Sequence, residues 1–176
     1  GSQTNELMIL SNIGGVLLVS GDLDKAVNHL RKVVEKIGDS GHFILPEKLR
    51  FLAEALIHQN KKAEAIDAAL KSLDISQKSE IRENIAGAWR VLGLIAAKFG
   101  QDISVNKESV NVSECFNRAL RIFSEAKMEA ETARTFRDFA RYENQTGNSA
   151  KARLMLRKAK EIFKRLEMPL EIERCS

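Results

Sequence analysis

Four small residues, Gly14, Ala53, Gly93 and Ala140, recur at separations of 39, 40 and 47 positions, each inside a stretch whose apolar residues return every three or four places. A glycine inside a helix costs about 1 kcal/mol relative to alanine. A helix-rich chain that keeps Gly14 and Gly93 therefore needs the missing Cβ, and close approach of two backbones is the use that packing repays. Ala26, Ala65 and Ala152 stand at a matching place early in the helix that follows. A period of this length marks a repeat architecture, in which a unit buries its apolar face only against its neighbours.

Helical periodicity runs through residues 5–20, 23–37, 46–58, 61–75, 79–99, 112–126, 130–146 and 149–166, and strand alternation is almost absent. Short polar or glycine breaks such as "SGD", "QNKK" and "TGNS" separate consecutive helices, which predicts eight helices in four hairpins. Gly21 is expected to end the first helix in the left-handed conformation. Asp22 is then expected to accept hydrogen bonds from the free amides of the second. The stretch "QDISVNKESVN" makes the third hairpin's connection about seven residues longer than its siblings.

The segment "WRVLGLIAAKFG", with Trp89, Leu92, Gly93 and Gly100, resembles the tetratricopeptide (TPR) signature W-x2-L-G followed by a glycine at the hairpin turn. The first hairpin carries Ile13-Gly14, Gly21, Leu23, Ala26 and Leu30 at the family spacing. The second carries Leu52-Ala53, Asn60, Ala65 and Ala69, and the fourth Phe139-Ala140, Gly147, Ala152, Leu156 and Ala159. The period is nearer 40 than the standard 34, and Leu17, Leu56, Ala96 and Glu143 replace the usual first-helix aromatic. "IFKRLEMPLEIER" resembles the F-x-x-L-G-M-x-x-E segment of such arrays, with Glu167 in the glycine's place. Long-period repeats of this kind are similar to those of large bacterial signalling proteins.

The resemblance implies an all-α fold: a right-handed α-solenoid of four TPR-like helical hairpins plus the start of a C-terminal capping helix. Residues 3–176 are expected to form a single domain, with hairpins over about 5–40, 43–76, 79–126 and 129–166 and a capping segment over 167–176. Gly1 and Ser2 read as an expression-tag scar.

Composition and motifs narrow the function. An apolar fraction of 44% with 30% charged residues describes a soluble globular chain. The longest strongly apolar stretch, around Val16–Val19, falls far short of the roughly 20 residues a membrane span needs. Cys115 and Cys175 form no CxxC pair and read as reduced cytosolic thiols, Cys115 beside Phe116 on an apolar face. His29, His42 and His58 show no metal-ligand spacing, and no phosphate-loop, dinucleotide or nucleophile-elbow motif occurs. No catalytic residue, metal or cofactor is expected.

The position three residues before each crossing residue reads Ser11, Arg50, Arg90 and Arg137. Arg134 and Arg141 stand one turn either side of Arg137, and Lys98 lies further along the third hairpin's first helix. In TPR arrays the first helices line a concave groove, so the resemblance implies a ladder of Arg50, Arg90 and Arg137 there, with Arg134, Arg141 and Lys98 beside it. Guanidinium groups suit bidentate capture of carboxylates, which points to an acidic or C-terminal peptide. The competing reading pairs each arginine with a neighbour such as Glu54, or turns it to water. The family's carboxylate clamp uses groove asparagines. Asn12 fits one such place, but Phe51, Val91 and Asp138 occupy its equivalents, so that clamp is not expected.

The leading expectation is a non-catalytic protein–protein interaction scaffold, part of a larger cytoplasmic regulatory or signalling protein and not bound to a membrane. A second is nucleic-acid binding through the basic last helix, where Arg153, Arg157, Lys160 and Lys164 form a stripe but no aromatic interleaves them. Self-association into a homodimer through a terminal hairpin is a third.

Overall fold

The computed structural model of the chain describes residues 13–38 and 43–175. Ser11, Asn12 and His42 lie outside the described residues, as do the tag-like Gly1-Ser2 and the first part of the expected first helix. Residues 13–20 are helical (α1). There follow α2 (Leu23–Ile37), α3 (Leu45–His58), α4 (Lys62–Lys78), α5 (Arg82–Phe99), α6 (Val112–Glu125), α7 (Glu129–Gln145), α8 (Ser149–Arg165) and the short α9 (Pro169–Glu173). From α2 onward each helix packs on the next in sequence, and in addition α3 touches α5 and α5 touches α7. The first helices of consecutive hairpins thus form one layer and the second helices follow behind them, as in a helical-repeat solenoid.

The crossing residues explain why these helices pair. A Cβ added to Gly14 would stand 2.5 Å from Leu30 Cδ2 of α2, and one on Gly93 would stand 3.1 Å from the Phe116 ring of α6. Ala53 and Ala140 are fully buried at the corresponding places in their hairpins. Above Gly93 the Phe116 ring stacks on Phe139 of α7, centroids 5.0 Å apart, which carries the core from the third hairpin into the fourth. A smaller apolar cluster of Ala133, Ala159, Phe163 and Cys175 seats α9 against the last hairpin.

One turn recurs throughout. After α1, α3, α4, α6, α7 and α8 a residue with φ between 54° and 88° ends the helix: Gly21, Asn60, Glu80, Lys127, Gly147 and Glu167. In each case its amide donates to the carbonyl three residues back, and the next amide donates five back, as Lys61 N does to Leu56 O. These paired bonds satisfy carbonyls that a helix end leaves open. Gly21 takes the left-handed state without a Cβ penalty; Glu80, Lys127 and Glu167 take it at roughly 1–2 kcal/mol each.

The structure corrects one sequence expectation, the Asp22 cap, and adds detail at two other places. The extra segment of the third hairpin forms a β-hairpin, β1 (Ile103–Val105) pairing antiparallel with β2 (Glu108–Val110), Ile103 opposite Val110. Asn106 and Lys107 both have positive φ, 51° and 71°, as a tight two-residue hairpin turn demands, and Ile103, Val105 and Val110 are buried. Asp22 makes no capping hydrogen bond; its carboxylate takes the Lys25 ammonium at 2.7 Å, while Asn111 and Glu114 form a reciprocal capping box on α6. Glu143, where an aromatic is usual, is buried and accepts from Asn148 Nδ2 at 2.7 Å and Lys151 Nζ at 2.6 Å.

Gly93→Val tests the crossing. Two added methyl groups meet the Phe116 ring, and overpacking of this kind costs about 1–3 kcal/mol. Thermal unfolding followed by circular dichroism should show a fall of roughly 2–4 °C per kcal/mol for a chain of this size.

Candidate functional site

The layer formed by α3, α5 and α7 carries the arginines that the repeat register singles out, and the structure joins them into one chain of alternating charge. On α3, Arg50 Nη1 lies 4.0 Å from Glu54 Oε1, one turn on. The same Glu54 oxygen is 3.6 Å from Arg90 Nη1 of α5. Arg90 then binds Asp138 of α7 through Nε at 2.8 Å and Nη2 at 2.6 Å. The other Asp138 oxygen lies 3.5 Å from Arg137 Nε and 3.7 Å from Arg141 Nη1. Arg137 donates in turn to Glu171 of α9, which also accepts from Arg134 Nε at 3.0 Å. Arg134 closes the row with a further bond to Glu131.

Burial decides what each arginine can do. Arg90 and Arg137 are 8% and 7% exposed, so both direct their charge into the protein, where Arg137 Nε finds no hydrogen-bond partner among the described residues. Burial opposes the Arg90 charge, yet Asp138 and Glu54 outweigh it and its pKa is raised. Arg134 is half-buried between Glu131 and Glu171. Arg141 is exposed and donates to the Arg174 carbonyl at 3.1 Å. Lys98, near the end of α5, is exposed and has no ion pair among the described residues.

Arg50 differs from its counterparts. Its Nε, like that of Arg137, is buried without a hydrogen-bond partner among the described residues, but unlike Arg137 it donates to no carboxylate, and its one ion pair is the loose contact to Glu54. The guanidinium rests 4.9 Å from the Phe51 ring. Gly87 of α5 makes room for it: a Cβ there would stand 2.8 Å from Arg50 Cδ. Arg50 lines a cleft of roughly 160 Å³ with Glu47, Glu83, Asn84, Phe123, Met128 and Glu131. Glu47, Glu83 and Glu131 come from the first turns of α3, α5 and α7. Beneath Glu47, burial holds the Lys48 ammonium below its ordinary pKa, an effect the carboxylate 3.3 Å away only partly offsets.

The sequence thus finds the cations and, of their counter-ions, Glu54 alone. Asp138 directly follows Arg137 in sequence and faces back toward α5. Glu171 stands third in α9 as Glu131 stands third in α7, 40 residues earlier, so the acid of one first turn recurs in the next and Arg134 reaches both. That offset was the available signal. Elsewhere, burial pushes the Cys115 thiol up to about 12, which leaves it protonated and inert at neutral pH. Among the described residues no group of three His, Cys, Asp and Glu side chains is placed to hold a metal ion. No described helix is long and apolar enough to cross a membrane.

Comparison with solved structures shows a TPR-type fold. The chain is similar to the apo form of RapI, with a TM-score of 0.65 and 18% identity, over 94% of this chain and 44% of that one. It is similar to BtubC (BKLC) from P. vanneervenii, with a TM-score of 0.64 and 19% identity, over 92% of this chain and 64% of that one. Nearly identical kinesin light chain TPR-like repeats from Podosopora anserina align with a TM-score of 0.63 and 18% identity, over 97% and 85% of the two chains. The chain therefore spans less than two thirds of the length of the first two. No family model matches the sequence, and no curated protein does.

Two outcomes follow from the charged row. Asp138→Ala strands the Arg90 cation in the interior and should cost about 3–5 kcal/mol in denaturant unfolding, whereas Arg90→Met with Asp138→Leu should recover at least about half of that loss. Burial alone would raise the Glu171 carboxyl, but the hydrogen bonds from Arg134 and Arg137 prevail and its pKa is lowered from 4.5. A carboxyl lowered on folding contributes stability above its ordinary value and loses it as pH falls through the folded one. The protection factors of the α9 amides, taken against the intrinsic exchange rate at each pH, should therefore fall as the solution is taken below about pH 4.5, and Glu171→Gln should flatten that dependence.

Proposed function

We propose that the chain is a non-catalytic protein-interaction scaffold whose α3–α5–α7 layer lines a groove for an extended peptide, with Arg50 receiving a carboxylate of that peptide. The observation that carries this reading is the unequal satisfaction of the arginines. Arg90, Arg137 and Arg134 donate to Asp138, Glu171 and Glu131, whereas Arg50 donates to no carboxylate among the described residues and lies beside an open cleft. A guanidinium fork held against Phe51 and Gly87 is already oriented, so binding a carboxylate orders little else.

Lys98 and Arg141 extend the positive edge along α5 and α7. Glu47, Glu83 and Glu131 around the cleft favour a basic residue next to the acid, which makes the segment acidic at one step and mixed in charge around it. The TPR-type fold supports a scaffold role, and the two buried free thiols support a cytoplasmic setting. The likeness of the long-period repeats to those of bacterial signalling proteins supports a place in a larger regulatory protein.

Selection of a displayed random-peptide library against the chain tests this. The enriched peptides should share an Asp or Glu, and Arg50→Ala should weaken them tenfold or more, the equivalent of about 1.4 kcal/mol, with the melting temperature held within about 2 °C. Selected peptides that bind the Arg50→Ala chain as tightly as the unchanged one would overturn the assignment.

A further inference from the structure

The helix α8 holds Lys151, Arg153, Arg157, Lys158, Lys160, Lys164 and Arg165 against Glu161 alone. Its net charge of +6 exceeds the +4 of the whole chain, so the other residues together carry −2. Some of this is neutralised locally: Lys151 binds the buried Glu143, Arg165 binds Glu129, and Lys158 lies 5.4 Å over the Phe136 ring. The rest is not. Arg153, Lys160 and Lys164 have no ion pair among the described residues, and Arg157 reaches only Glu161 at 4.0 Å, both side chains about two-thirds exposed.

Those four cations share one face. At 3.6 residues per turn Arg153, Arg157, Lys160 and Lys164 fall within about 60° of arc and about 16 Å along the axis. Ala152, Ala159 and Phe163, about a third of a turn round the helix, anchor it to the last hairpin, and the row runs as a ridge along an open depression of about 380 Å³ that it lines with Leu156 and Glu161. It lies away from the cleft at Arg50, and no residue lines both.

We propose that this ridge binds the phosphate backbone of double-stranded nucleic acid, without sequence preference. A duplex presents about one negative charge per 1.7 Å of axis in a regular row, and a helical row of cations meets it with release of condensed counterions. A protein partner of any strength needs an aromatic or aliphatic anchor at a desolvated centre, and the row offers only the half-buried Leu156. Stacking on single strands needs exposed aromatics, and base readout uses carboxamides and forks aimed into a groove; the face carries neither aromatic nor carboxamide.

The test is fluorescence anisotropy of the chain with a labelled DNA duplex of arbitrary sequence, about two turns long. Contact with four phosphates predicts a slope of log K on log salt between about −3 and −4, roughly a hundredfold loss between 50 and 200 mM. Replacing Arg153, Arg157, Lys160 and Lys164 together with Gln should weaken binding at least tenfold and leave the circular dichroism spectrum and melting temperature unchanged. Equal weakening when Lys32, Lys61, Lys78 and Arg121 are replaced instead would reduce the effect to net charge and overturn the proposal. So would absence of binding at 50 mM salt, or displacement by poly-L-glutamate as efficient as by unlabelled duplex, which would assign the ridge to an acidic protein.

Discussion

Arg90 and Asp138 meet in the interior of an otherwise apolar stack, and the order of the last two hairpins depends on that meeting. Two charges leave water on folding, a cost recovered only where geometry is close and the remaining donors find partners. Both conditions hold: two short bonds join the pair, Glu54 approaches Arg90 from α3, and Arg137 and Arg141 approach Asp138 from its own helix. Apolar contacts between α5 and α7 would tolerate sliding by a residue or so. An ion pair at the layer's centre, with two Arg90 nitrogens on one Asp138 oxygen, does not, so it fixes how far one hairpin is rotated against the next.

The row extends from that pair in both directions and ends differently on each side. Toward α9 it is closed by Glu171, which draws on Arg134 and Arg137 together and so ties the final short helix to the layer. Toward α3 it stays open, because Glu54 is shared between Arg50 and Arg90 and is in hydrogen-bonding reach of neither. Any partner carboxylate that enters there completes a pattern the protein has already begun, rather than creating a new one.

Much of this was legible in the sequence, and the reasons differ from part to part. Spacing of Gly14, Ala53, Gly93 and Ala140 announces the stacked hairpins because helix crossings exclude bulk, and exclusion leaves a mark in residue size. The register three places earlier finds Arg50, Arg90 and Arg137 for the same reason: a solenoid repeats its faces. What escapes is pairing across repeats. Whether Arg90 meets water, a ligand or Asp138 depends on rotation between hairpins, which no single repeat encodes. The β-hairpin escapes for another reason: three-residue strands are too short for alternation to stand out, and only Asn106-Lys107 betrays the turn. Asp22 leaves the cap unmade and gives its carboxylate to the Lys25 ammonium, a competition that residue type alone does not decide.

The apolar interior is divided. One large cluster runs from α2 to Phe139 of α7, and a separate small one, built on Ala133, Ala159, Phe163 and Cys175, underlies the C-terminal end. In a linear array, opening free energies follow the local density of such contacts rather than one global value. Local opening at the short α9 therefore costs less than opening of the middle helices, while α8 stays shut with the α7 on which it packs.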